Sequence, residues 1–327
     1  MPLRRTEQVS DRYRGLDTWQ DDAILTAMLQ GQASAVATVQ RALPALSAAA
    51  SDIVGRYESG GRLIYAGAGS SGVIARLDAL ELPGTYGIPS ERIVTLIAGG
   101  EESLRCLNNG AEDDREEARS AIEPLELTKQ DSVIGISASG STPYVLAVME
   151  AARAASALTL GMACNADAPL LKLCMHEVLL DSEPEVVAGS TRMNAGTAQK
   201  CALNLLSTLV AIRLGHVYDG MMVNLRAENS KLKERATDIV TRASGVDALT
   251  AGQYLEETGG AVKPAILMGA GVRSARDADA LLSSVKGNLR RALEVNAEET
   301  EGSVACRSGE ETKEANKDQG KKEISHG

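Results

Sequence analysis

Short apolar runs alternate along the chain with longer stretches whose apolar residues recur at helical spacing. Leu63 to Ala66, Ile93 to Ala98, Val133 to Ile136, Leu158 to Cys164 and Glu177 to Leu180 read as five short strands. Apolar runs without alternation suit parallel strands covered on both faces. Between them, Val73, Ile74 and Leu77 share one face of a helix that Pro83 and Gly84 are expected to close. Val145 to Ala155 and Ala195 to Leu214 predict two more helices. Strand and helix in alternation predict an α/β fold, helices covering both faces of a central parallel sheet in three layers.

The flanks follow a different pattern. Residues 1 to 20 are polar and predict an extended arm. Asp21 or Asp22 can cap a helix starting near Ala23, and a second helix from about Ala33 to Tyr57 is expected to kink near Pro44. After the sheet region, helices are predicted over Val223 to Ala243, Leu249 to Glu257 and Ala275 to Glu294. Lys263 to Met268 fits a helix or a strand. The boundaries drawn are an N-terminal helical arm at 1–58, the sheet domain at 59–244, a small helical unit at 245–294 and a polar, disordered tail at 295–327.

Composition narrows the function classes. The chain has 327 residues, 7 Tyr, 1 Trp and no Phe, so it offers little surface for stacking bases. A net charge of -10 argues against nucleic acid and anionic membranes as partners. No apolar run reaches transmembrane length, and Met1 to Asp21 holds no signal core. Five scattered cysteines without a CxxC pair read as reduced thiols of a cytoplasmic protein. No metal is expected, because the three histidines lie far apart and no ligand spacing stands out.

The chemistry concentrates where strands end. The first strand runs into Gly67, Gly69, Ser70, Ser71 and Gly72, and a helix follows. Glycines admit close backbone approach, and a helix amino end presents unpaired N–H groups with partial positive charge, so the loop can cradle a phosphate. It is neither a Walker loop nor a full dinucleotide fingerprint. The third strand runs into Ser137, Ser139, Gly140, Ser141 and Thr142, again before a helix. Two hydroxyl-rich loops after separate parallel strands strengthen the phosphate reading, since ligands of open α/β sheets gather at strand carboxyl ends. Ser190, Thr191 and Arg192 precede the long apolar helix, and Arg192 could meet a carboxylate or phosphate. The acidic stretch Gly110 to Arg119 reads by composition as the solvated first turn of a helix.

Seven ordered segments carry a resemblance: GRLIYAGAGSSG, LDALELPGTYG, LIAGGEESL, GAEDDRE, GISASGSTPYV, EVVAGSTRMNAGTAQK and LNLLST. The sequence resembles the N-acetylmuramic acid 6-phosphate etherase family, a branch of the sugar isomerase (SIS) domain proteins. The resemblance implies a SIS-type αβα sandwich and a lyase that splits the lactyl ether of its substrate into N-acetylglucosamine 6-phosphate and D-lactate. It implies two catalytic glutamates and no cofactor. The family's acid falls on Glu81 and its base on Glu112. The phosphate contacts fall on Ser70, Ser71 and Gly72 from the first loop, and on Ser137, Ser139, Gly140 and Thr142 from the second. Ser190, Thr191 and Arg192 are further candidate substrate contacts. A homodimer, amino-sugar catabolism and peptidoglycan recycling are implied as well.

The sequence also departs from the family pattern. Val73, Ser141 and Asn194 stand where the family carries cations, with Arg76 a candidate replacement. These changes raise an alternative: an isomerase or lyase acting on another phosphosugar, or a phosphosugar-binding regulator without turnover. Glutamate at both positions, 81 and 112, favours the enzyme.

Overall fold

In the computed structural model, residues 5–104, 110–225 and 230–299 are described. They form two compact units that divide between Leu214 and Gly215.

The first unit opens with three short 3-10 turns, not an extended arm. Thr6 and Tyr13 are buried, and Tyr13 packs with Ala27 and Val186. Helix α1 then runs unbroken from Asp21 to Glu58, with Pro44 inside it. The two helices expected here are one, and it is not interrupted at Pro44. Buried Ala35, Val39, Ala42, Leu46, Ala49 and Ile53 make one continuous stripe across the proline, and that packing outweighs a missing backbone donor.

Strands β1 (Leu63–Gly67), β2 (Ile93–Ile97), β3 (Ser132–Ile136), β4 (Leu158–Ala163) and β5 (His176–Leu179) form one parallel sheet in the order β2-β1-β3-β4-β5. Its helices are α2 (Gly69–Tyr86), α3 (Arg115–Ile122), α4 (Pro143–Ala154), α5 (Pro169–Leu173) and α6 (Asn194–Arg213). Alternate strand residues face opposite cores. Leu63, Tyr65, Ile134 and Ile136 join α1, α2 and α6, whereas Ile64, Ala66 and Val133 join α3 and α4. The three-layer α/β expectation therefore holds. Helix α2 runs through Pro83 and Gly84, and ends at Gly87 in the left-handed region, φ 62°.

The second unit holds a two-stranded antiparallel ribbon, β6 (Val217–Tyr218) and β7 (Met221–Met222), and helices α7 (Ser230–Ser244), α8 (Ala248–Glu257), α9 (Val262–Gly269) and α10 (Ala275–Ser284). Residues 263–268 are helical. Ile239 and Val240 of α7 share a core with Leu255 and Ile266, so compactness breaks after Leu214 and not after residue 244. The predicted last helix stops at Ser284, turns at Gly287 (φ 75°) and resumes over 289–299. Helix thus continues past 295, and the rest of the expected tail, 300–327, lies outside the described residues.

Candidate active site

Two loops leave the sheet side by side. Gly67 ends β1 opposite Ile136, the last residue of β3, so the 68–72 and 137–142 segments start on adjacent strands about 5 Å apart. In the first loop the strand and helix touch backbone to backbone: a Cβ on Gly67 would sit 2.7 Å from Gly72 Cα. Only glycine permits that approach. Ala68 caps α2 without any side-chain hydrogen bond, and Gly72 N donates to Ala68 O. The N–H groups of Gly69, Ser70 and Ser71 precede the first intrahelical bond and can donate to an anion. Ser70 is half-buried. Ser71 is buried, and its Oγ donates to Gln199 Oε1 at 2.9 Å.

The second loop is a hydroxyl cluster. Ser137 Oγ lies 2.8 Å from Thr142 Oγ1 and 3.3 Å from Ser139 Oγ, and Gly140 N donates to Ser137 Oγ at 3.0 Å. Gly140 has φ +66°, and a Cβ there would overlap Ala168 Cβ and sit 2.8 Å from Ala163 Cβ. Thr142 caps α4 with no side-chain hydrogen bond to the helix, leaving that amino end open too. Asn165 Nδ2 donates to Ala138 O and Ser139 O, while Asn165 Oδ1 accepts from Arg5 N, so the N-terminal turns are tied to this loop.

Glu112 reaches the same edge of the sheet. It lies in the 3-10 turn Ala111–Asp113. Gly99, just beyond β2, would place a Cβ 3.2 Å from Ala111 Cβ, and Gly99 N donates to Glu117 Oε1 at 2.8 Å. The Glu112 side chain is exposed at its edge, yet partial burial pushes its carboxyl above the usual value, and neighbouring Asp113 adds to the effect.

Glu81 is placed differently. It is exposed on α2, ten residues after Ser71, which at 1.5 Å per residue is about 15 Å along the helix axis. Around it run the exposed apolar side chains Val73, Leu77 and Leu80. Ser190 and Thr191 are half-buried and Arg192 is exposed in the loop before α6.

Three side chains that sequence reasoning did not single out are buried around these elements. Asp78, one turn before Glu81, accepts from Asn204 Nδ2 (2.7 Å), Ser207 Oγ (3.0 Å) and Tyr65 Oη (3.1 Å). Burial raises its carboxyl, those hydrogen bonds oppose the rise, and the Glu81 charge adds to it. Glu185 caps α6, accepting from Asn194 N at 2.8 Å and Ala195 N at 3.0 Å. Gln199 is the third. Nothing local marks these residues; only the pairing of distant elements buries them. Among the described residues no His, Cys, Asp and Glu group could hold a metal ion, and no helix is long and apolar enough to cross a membrane.

A SIS-domain model, that of the glucokinase regulatory protein N-terminal SIS domain, matches residues 45–153. An N-acetylmuramic acid 6-phosphate etherase from Deinococcus radiodurans is 46% identical over 290 residues, 89% of this chain and 95% of the relative. One from Rhizobium rhizogenes is 42% identical over 78% of this chain and 83% of its own length.

The chain belongs to the N-acetylmuramic acid 6-phosphate etherase family.

A second etherase of Bacillus licheniformis extends the likeness to 98% of its length at 40% identity. The three departures from the family pattern occupy unlike surroundings. Asn194 is buried, its Nδ2 donating to Pro184 O, and Gly31 packs against it. Ser141 Oγ donates to Ser139 Oγ within the second loop. Val73 is exposed on α2. Arg76, the candidate replacement cation, pairs with Glu101 at 3.0 Å and donates to Thr95 Oγ1.

Proposed function

We propose that this protein cleaves the lactyl ether of N-acetylmuramic acid 6-phosphate, giving N-acetylglucosamine 6-phosphate and D-lactate. The observation that carries the reading is the pair of open helix amino ends beside hydroxyl loops on adjacent strands, in a chain of the etherase family. The phosphate rests on Ser70, Ser71 and Gly72 and on Ser137, Ser139, Gly140 and Thr142. Ser190, Thr191 and Arg192 approach the remainder of the sugar.

The aldehyde of the open-chain sugar acidifies the C2 proton, and Glu112 removes it. A carboxylate with a raised pKa is a stronger base near neutrality, which suits that task. Glu81 is the acid, giving a proton to the ether oxygen as the C3–O bond breaks and lactate leaves. Water then adds at C3 of the unsaturated aldehyde. The steps need no metal or organic cofactor.

Glu81 enters this site from a second copy of the chain. Its separation from Ser71 along α2 exceeds the reach of a hexose phosphate bound at the helix amino end. The exposed stripe of Val73, Leu77 and Leu80 around it suits burial against another protomer. Exposed Val36 and Leu43 of α1 and Leu205 and Ile212 of α6 line a second apolar surface, a groove of about 670 Å³. A homodimer is therefore part of the proposal. So is a cytoplasmic setting, in keeping with free Cys164, Cys174 and Cys201, and a role in recycling peptidoglycan amino sugars.

Incubation with N-acetylmuramic acid 6-phosphate in heavy water, followed by mass spectrometry, tests the reaction. Lactate release with deuterium at C2, absent in Glu81→Ala and Glu112→Ala, is the expected result. Binding without lactate or deuterium would overturn it.

A further inference from the structure

Helix α2 is held to α6 by three polar couplings. Ser71 Oγ donates to Gln199 Oε1, Asp78 accepts from Asn204 and Ser207, and Tyr86 Oη lies 2.9 Å from Thr208 Oγ1. The first coupling is incomplete. Gln199 is only 1% exposed, and its Nε2 has no hydrogen-bond partner among the described residues. A buried amide N–H2 without an acceptor is destabilising, so its presence beside a phosphate loop calls for a reason.

In this arrangement the Ser71 hydroxyl spends its proton on Gln199, and that proton is withheld from any anion at the α2 amino end. A half-turn of the Gln199 amide exchanges Oε1 and Nε2 with almost no change of shape. Nε2 then donates to Ser71 Oγ, and the hydroxyl proton is freed for the α2 amino end. A chain of donors from amide to hydroxyl to phosphate oxygen is mutually strengthening in a buried setting. We infer that Gln199 is a positioning residue for the phosphosugar, turning Ser71 from an internal donor into a donor to the ligand. The inference rests on the reading of the α2 amino end as a phosphate site given above.

The test uses full-length protein and four variants: Gln199→Leu, Gln199→Glu, Ser71→Ala and the double Ser71→Ala/Gln199→Leu. Lactate release from N-acetylmuramic acid 6-phosphate gives KM and kcat. Calorimetric titration with N-acetylglucosamine 6-phosphate gives affinity without turnover, and thermal unfolding gives stability. Gln199→Leu and Ser71→Ala are each expected to weaken Kd and KM about tenfold, with a smaller change in kcat. The double variant should lose no more than Ser71→Ala alone, because Gln199 acts only through the Ser71 hydroxyl. Gln199→Glu keeps the acceptor but adds a charge, and should bind more weakly still. Wild-type affinity in Gln199→Leu would overturn the inference, as would single losses that multiply in the double variant. A lowered unfolding temperature with unchanged Kd would also overturn it, by reducing Gln199 to a structural role. Wild-type protein that binds the sugar phosphate without releasing lactate would sink the etherase reading alone, leaving the Gln199 comparison in force. Wild-type protein that does not bind would sink both.

Discussion

Two inactive variants of this protein should rescue each other. On the proposed site Glu81→Gln loses the acid and Glu112→Gln loses the base, so each variant alone should be silent. The ten residues from Ser71 to Glu81 span about 15 Å of helix, whereas Glu112 lies in the turn whose Ala111 packs against Gly99, just beyond the end of β2. A site built from the loops and Glu112 of one chain and Glu81 of its partner has a calculable consequence. Equal amounts exchanged at random give half mixed dimers, and each mixed dimer carries one intact site and one doubly altered site. Recovery should approach roughly one quarter of wild-type activity under two-fold symmetry. The assay is lactate release after co-refolding, or after warming the mixture, with native mass spectrometry to verify the mixed dimer. Mixed dimers without activity would refute the shared site and put both carboxylates in one chain.

Other substitutions probe single features. Gly140→Ala forces a Cβ onto Ala168 and Ala163 at φ +66°; strain and overpacking should together cost about 2–4 kcal/mol in urea unfolding and raise KM for the sugar phosphate. Wild-type values in both measurements would dismiss the geometry. Asp113→Asn removes a like charge that helps hold the Glu112 carboxyl up. The acidic limb of the kcat/KM profile should then move to lower pH by less than about one unit, and an unmoved limb would remove Glu112 as the base. Arg62→Leu strands the buried Asp131 carboxylate, which accepts from Arg62 N, Nε and a terminal guanidinium nitrogen at 2.9–3.0 Å. The expected loss is about 3 kcal/mol at neutral pH. Burial alone would raise the Asp131 carboxyl, but the Arg62 and Thr128 donors hold it at about 2, below its ordinary 3.8. Its contribution is therefore present above pH 4 and lost as pH falls through 2. Urea titrations of wild type and Asp131→Asn should converge over that range, and a constant gap would contradict the linkage.

The strands and the two hydroxyl loops were legible because each is written locally, as an apolar run followed by glycine and serine. The helix ends were less so. Pro44, Pro83 and Gly84 carry break signals, yet α1 and α2 continue through them because their buried faces are continuous on either side. The arm was misread for a related reason: Thr6 and Tyr13 gain burial from partners far along the chain, such as Asn165 and Val186. Asp78, Glu185 and Gln199 look like ordinary helix or loop residues in sequence. Their roles come from α2 and α6 lying together and from the 182–193 loop folding back on α6. The glutamates had a different fate. Composition alone makes Glu112 a surface acid, and only the family resemblance singled it out.

The helix amino ends of the sheet domain are not equivalent. Asp114 accepts from Glu116 N and Glu117 N at the start of α3, and Glu185 fills the start of α6. The chain's own carboxylates have taken those two positions, while α2 and α4, which follow adjacent strands, are left unfilled by any side chain. An arriving dianion is thus repelled from two of the other amino ends, those of α3 and α6, which already hold negative charge. If the proposed phosphate site holds, its selectivity is written partly in where the fold has plugged itself and not only in where it stays open.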